Sequence, residues 1–187
     1  DKKIDSIIPV VRNEAHKLIE ECMLAANTCA ASFLDKQKVP ALFRVHEGPS
    51  EEKLKGLRAF LSGLGLSLGG GDKPKPADYQ ALLGAVAERN DAHLIQTMLL
   101  RSMSQAVYQP DNVGHFGLGY DSYTHFTSPI RRYPDLLVHR AIRYLIRNRR
   151  ELKTVHCVET APALPQKKIY PYDDAAMDAL GMQCSAY

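Results

Sequence analysis

The chain has 187 residues, 45% hydrophobic and 24% charged, with a net charge of +3. That suits one ordinary domain with a real core, and no apolar run approaches the ~20 residues a membrane helix needs. The start, DKKIDSIIPVVRNEAHK, has no long apolar stretch after its lysines and is not a secretory signal. Four widely spaced cysteines (Cys22, Cys29, Cys157, Cys184) suit reduced thiols, so a cytoplasmic location is expected.

Residues 12–35 predict a long amphipathic helix. Leu18, Cys22, Ala25, Cys29 and Phe33 recur every three to four residues and define its expected buried face. Asn13, Lys17, Glu20 and Asn27 fall on another. Pro40 closes the region, and ALFRVHE (41–47) alternates as a short strand should. Ser50 is a good N-cap for a helix that opens with Glu51 and Glu52 and ends at Gly63 or Gly65. SLGGGDKPKPAD (67–78) is a loop. Helices follow at 77–89 and 92–106, the second capped by Asp91. Between 106 and 127 the texture turns aromatic and β-branched, predicting two or three strands or extended segments. A helix then runs to about 149, TAPALPQKKIYPY (160–172) is an extended loop, and DDAAMDALGMQCSAY starts a last helix capped by Asp173 or Asp174. The fold class is helix-rich α+β, with five to seven helices and a few short strands. Leu18, Cys22, Cys29, Phe33, Leu99, Leu137 and Ala141 are expected to be buried.

Charge is unevenly spread. Residues 125–150 carry seven arginines against one acid, Asp135, a net +6 in a chain whose total is +3. Such a concentration fits a phosphate-binding surface or a solvated helix face. The stretch HFTSPIRRYPDLLVHR narrows the choice. Thr127 or Ser128 can cap a helix starting at Pro129, which places Arg131 and Arg132 in its first turn. Cations there oppose the helix dipole. A bound anion would explain them, because first-turn amides, dipole and guanidinium could converge on one phosphate. Pro134 should kink or restart the helix a turn later. Both arginines remain candidates on this argument.

The stretch GHFGLGYDSYTHFTSPIRRYPDLLVHRAI (114–142), with NEAHKLIEECMLAAN (13–27), PALFRVHE, QTMLLRSMSQAVY and QCSAY, closely resembles the RNB catalytic domain of the RNase II/RNase R exoribonucleases, and within them the bacterial RNase R type. The likeness spans essentially the whole chain. It implies a processive 3′→5′ hydrolase acting on the 3′ end of single-stranded RNA and releasing nucleoside 5′-monophosphates. It also implies two magnesium ions that activate water and stabilise the leaving oxygen, and a monomer with no membrane attachment. The family holds its metals with a D-x-R-D-x-D-D-like aspartate cluster, which has no equivalent in this sequence. Residues 1–187 therefore read as the C-terminal portion of the catalytic domain, without the aspartate-bearing half or the flanking OB-fold modules. No metal ligands and no tightly bound metal are expected in the chain itself.

Carried over by position, the resemblance makes Arg131 the catalytic arginine that binds the scissile phosphate. It makes Glu20 the residue contacting the ribose at the 3′ end, where a carboxylate can accept from a 2′-OH that DNA lacks. Glu20 is expected to face the cavity of Arg131. Ser128, Arg132 and His115 stand as further substrate-binding candidates. His125 and His139 could also approach substrate, Tyr123 and Phe126 could stack bases, Asp135 could orient an arginine, and Arg140 could bind phosphate or pair with an acid. The alternative readings are an RNA-binding or protein-interaction fragment without catalysis, and a DNA-binding helix over 134–150.

Overall fold

In the computed structural model residues 6–148, 162 and 165–186 are described. Arg149, Arg150, Cys157 and part of the 160–172 stretch lie outside the described residues. Helix α1 (Glu14–Gln37) opens on Asn13, whose side chain accepts from the His16 amide while His16 Nδ1 accepts from the Asn13 amide. Its buried residues are Asn27, Ala30, Ala31 and Leu34. Leu18, at 64% exposure, and Cys22 and Cys29 are exposed instead, and Phe33 is only partly buried. The expected face is therefore wrong. The first turns of α1 stand clear of the packed layer, and the helix meets the rest of the chain from Asn27 onward through small side chains.

Strand β1 (Phe43–Val45) pairs antiparallel with β2 (Val107–Gln109), with Arg44 opposite Tyr108. The other edge of β1 is covered by an irregular segment: the Arg44 amide donates to Tyr123 O (2.9 Å) and the His46 amide to Gly114 O (3.0 Å). The two or three strands or extended segments expected over 106–127 are one strand, a 3-10 turn at Phe116–Leu118 and extended chain. Two consecutive glycine-bounded turns, with positive φ at Gly114 and Gly119, stop a second strand from forming.

Helix α2 (Glu51–Gly63) forms as read, capped by the Ser50 hydroxyl. Helices α3 (Pro76–Val86) and α4 (Ala92–Ser102) close a leucine-rich cluster around Leu57, Leu61, Leu82, Ile95 and Leu99. Asp91 sits at the N-cap of α4 but makes no side-chain cap bond; its carboxylate pairs with Arg89 at 2.8 Å. Helices α5 (Tyr133–Asn148), α6 (Gln166–Ile169) and α7 (Asp174–Ser185) build a second cluster with α1 around Leu34, Leu42, Leu137, Leu145, Tyr170 and Met177. The Asp173 side chain caps α7. His46 links the two clusters: one ring nitrogen bonds Ser104 O (2.7 Å) beyond α4, and the other accepts from the Gly117 amide (2.8 Å). Helix-rich α+β is the observed class.

Two glycines test this packing with opposite signs. A Cβ on Gly181 would lie 2.6 Å from Tyr108 O, so α7 can lie on β2 only because that position has no side chain. Gly56, inside α2, has nothing within 4 Å of its Cβ position. Urea unfolding should show Gly181→Ala destabilising by about 1–3 kcal/mol and Gly56→Ala stabilising by about 0.5–1 kcal/mol.

Candidate functional site

The arginine segment breaks at Pro134, as its missing N–H predicts, and the helix restarts there, from Tyr133. Residues 128–132 make a separate turn, with the Arg131 and Arg132 amides donating to Ser128 O at 3.3 and 3.1 Å. The N-terminus of α5 already holds an anion of its own. Asp135, fully buried, accepts from the Ser128 amide (2.7 Å) and from Arg132 Nη2 (2.9 Å) through one oxygen. The Ser128 amide is therefore not free for phosphate, and the single-phosphate cradle of amides plus guanidinium is replaced by Asp135. Arg132 Nε, Asp135 Oδ2 and Thr127 Oγ1 are buried without partners. Arg131 projects from the exposed turn with no acceptor among the described residues.

A cavity of about 1030 Å³ opens beside this turn. Arg44, Tyr108, His125, Arg131 and Arg132 line it, with Gln183 and Cys184 of α7 on the far wall. No acidic side chain lines it. Tyr108 OH and His125 Nδ1 are 2.6 Å apart, and the Arg44 guanidinium lies 4.5 Å from the Tyr108 ring centre. Burial raises the Tyr108 and Cys184 pKa values above their ordinary ones. Burial, helped by Arg132 and Arg44, pushes His125 down to about 4. At neutral pH the cavity's positive charge is thus guanidinium alone.

The other expected residues are scattered. His115 lines a neighbouring cavity with His46 and Asp121, not this one. Its Nδ1 accepts from the Leu118 amide (3.2 Å), and burial together with His46 pushes its pKa down to about 4. Tyr123 is core; Phe126 stacks on His139 at 4.2 Å. Arg140 is tied to Ile169 O and Tyr172 OH. Glu20 does not line the Arg131 cavity, and its carboxylate pairs with Arg12, which lowers its pKa. Helical spacing puts Glu20 on the same face as Asn27 and Leu34, two turns beyond the packed layer. The reading of that face as opposite to the core is corrected accordingly. Asn27 was expected on the polar face, yet it donates to Tyr123 OH and accepts from the Phe126 amide, both at 2.9 Å. The available signal was that Asn27 shares its face with Ala30, Ala31 and Leu34 on the C-terminal side. Arg44 was also missed; strand alternation places it opposite Phe43 and Val45.

Among the described residues no three His, Cys, Asp or Glu side chains converge as metal ligands. No helix is long and apolar enough to cross a membrane among them.

The family model described as "RNB domain" matches residues 1–148. The chain belongs to the RNB domain family. Ribonuclease R of Vibrio cholerae is 56% identical to this RNB chain over 184 residues, 98% of the chain and 22% of the relative. Ribonuclease R of Escherichia coli K12 is 60% identical over 146 residues, 78% of the chain and 18% of the relative. The chain thus spans about a fifth of the length of these relatives. Among solved structures, Mycoplasma genitalium RNase R in complex with ribose-methylated single-stranded RNA matches with a TM-score of 0.73 and 25% identity, over 95% of this chain and 26% of that one. Yeast Ssd1, a pseudonuclease, shares the fold with a TM-score of 0.70 at 23% identity, over 93% of this chain and 20% of that one.

The two depressed histidines set a pH dependence. An unfolded histidine titrates near ~6.5, while folded His115 and His125 titrate near about 4. Between those values the unfolded state binds more protons, so the chain should lose stability as pH falls from about 6.5 towards 4. The urea midpoint measured across that range should fall, and His125→Asn should flatten the fall.

Proposed function

We propose that this chain is the C-terminal part of the catalytic domain of a 3′→5′ exoribonuclease, and that the cavity beside Arg131 holds the phosphodiester backbone of single-stranded RNA near its 3′ end. The observation that carries the reading is a cavity lined by three arginines and no acid, in a chain of the RNB family. A polyanion is the ligand such a lining fits. Identity to Ribonuclease R above half over nearly the full chain supports the same enzyme class.

In this reading Arg131 supplies the planar fork that grips the scissile phosphate and offsets charge growing on its oxygens. Arg132, fixed by Asp135, holds the turn that aims Arg131. Ser128 acts through its backbone, whose carbonyl receives the Arg131 and Arg132 amides. Glu20 contacts ribose from the projecting half of α1, and RNA would have to displace Arg12 from it. His115 lies beside the track in the next cavity. The parent is a cytoplasmic monomer that hydrolyses RNA to nucleoside 5′-monophosphates. Magnesium in the parent has its ligands outside the described residues.

A second reading has a specific observation behind it. The fold is shared with a protein called a pseudonuclease, and the described residues bring no carboxylate cluster together. The isolated chain would then bind RNA without cleaving it. A uniformly labelled RNA incubated with the parent and with the chain separates the two. Release of mononucleotides by the parent in magnesium, with none by the chain, supports the proposal. A parent that binds RNA but releases nothing overturns it.

In the parent, Arg131→Ala should lower the single-turnover rate by ~10²-fold or more, with a much smaller change in RNA binding; Arg131→Lys should restore it only in part. Glu20→Ala should narrow the preference for a 3′-terminal ribose over deoxyribose by about 1–3 kcal/mol. Paired substrates differing at one sugar measure it, and unchanged discrimination would remove Glu20 from the site.

A further inference from the structure

We infer that Arg44 is a second phosphate-binding residue, seated on the Tyr108 ring and taking a phosphodiester next to the one at Arg131. The inference rests on the RNA-degrading reading above. Three features of the cavity carry it.

The first is charge balance. Three guanidinium groups line the cavity, and no carboxylate does. Arg132 is compensated by buried Asp135 at 2.9 Å. The guanidinium groups of Arg44 and Arg131 have no hydrogen-bond or carboxylate partner among the described residues. Two uncompensated cations sharing one cavity repel each other and call for two anionic charges. A single phosphodiester carries one negative charge; two successive phosphates of a strand carry the required pair.

The second is placement. Phe43 and Val45 point into the core, so alternation along β1 turns Arg44 the other way, onto the face where its cross-strand partner Tyr108 lies. The ring contact at 4.5 Å holds the guanidinium over the aromatic face and leaves its N–H edge for the cavity. Tyr108 is itself braced by His125 at 2.6 Å and by the Ser185 hydroxyl on its amide at 2.8 Å. A guanidinium held in this way loses little side-chain entropy when an anion arrives.

The third is the absence of competition within the same wall. His125 lines the cavity beside Arg44 and Arg132, within electrostatic reach of Asp135 and His115, and is neutral at physiological pH, so it adds no further positive charge and can only donate or accept a hydrogen bond. Arg131 comes from the turn before α5, Arg44 from β1. Two phosphates gripped from opposite elements would hold the strand straight across the cavity, with the scissile group at Arg131.

The test uses the full-length parent with Arg44→Gln and Arg44→Lys, single-stranded RNA oligonucleotides of several sequences, and a titration of monovalent salt. Arg44→Gln should weaken RNA binding roughly tenfold, equally across sequences, because a phosphate carries no base information. The slope of log affinity against log salt should drop by ~0.7, the loss of one phosphate contact on a single strand. The loss should appear in KM far more than in kcat, the reverse of Arg131→Ala. Arg44→Lys should keep the salt slope and recover only part of the affinity. Thermal unfolding of each variant runs alongside. Wild-type affinity and slope in both variants, with a lowered Tm, would mean that Arg44 only stacks on Tyr108 and the inference fails. If the Gln variant does not fold, the Lys variant decides: partial affinity at full slope supports the site, full affinity overturns it. A wild-type parent that neither binds nor degrades RNA would instead overturn the functional reading beneath it.

Discussion

Asp135 has no solvent-exposed surface, and one of its oxygens receives both the Ser128 amide and Arg132. A carboxylate in that position needs both donors, since an unpaired buried charge is among the most destabilising single features a fold can carry. The requirement fixes the turn of residues 128–132 against the first turn of α5. That turn carries Arg131 at its exposed end. The arginine that faces the cavity is therefore aimed by a carboxylate that does not. Arg132 looks like its equal in the sequence but serves as the counter-ion holding the frame. The adjacent pair divides into one group that structures and one that is free to bind.

The rest of the cavity depends on a second polar anchor. Asn27 reaches from α1 to Tyr123 OH and to the Phe126 amide. It satisfies donor and acceptor on the segment that carries His125 between those two residues. The ring of His125 then meets Tyr108, which meets Arg44 across the two-stranded ladder. A chain of contacts thus runs from α1 through the irregular segment to β2 and back to β1. The links from Asn27 and from His125 are hydrogen bonds that satisfy both partners, and the last is a ring contact under a guanidinium.

What the sequence made legible follows from how local the physics is. Helix α2 was readable, with its end at one of the two glycines named for it, because its cap, its first-turn acids and its leucine spacing are all local signals. The face of α1 was not. Leu18, Cys22 and Cys29 have the spacing and the apolarity of a core stripe, yet the packed stripe is Asn27, Ala30, Ala31 and Leu34. Periodicity identifies an amphipathic helix but not which part of its length is covered, and alanines permit closer approach than their low hydrophobicity suggests. The break at Pro134 was legible from its missing N–H. The filling of the helix N-terminus by Asp135 was not, because a carboxylate three residues into a helix is ordinary, and only its burial makes it the anion of that site. Glu20 was matched to a role by resemblance, but neither its spacing nor its charge says how far the projecting half of α1 stands from the cavity. Arg44 sat in a strand too short to announce a cavity-facing side.

The fold alone leaves activity open. Ribonuclease R of Mycoplasma genitalium and a pseudonuclease both superpose on this chain, so the backbone arrangement is compatible with cleavage and with its loss. What differs between those outcomes must lie in side chains that touch the reacting atoms. In this chain the groups available at the cavity are cationic or neutral: guanidinium from Arg44 and Arg131, and a histidine that burial keeps uncharged. Such groups can bind a phosphodiester, orient it and stabilise negative charge on its oxygens. None of them is a base strong enough at neutral pH to generate a hydroxide from water, and arginine cannot accept a proton there. In the proposed reaction these groups therefore hold and orient the phosphodiester, and none of them activates the attacking water.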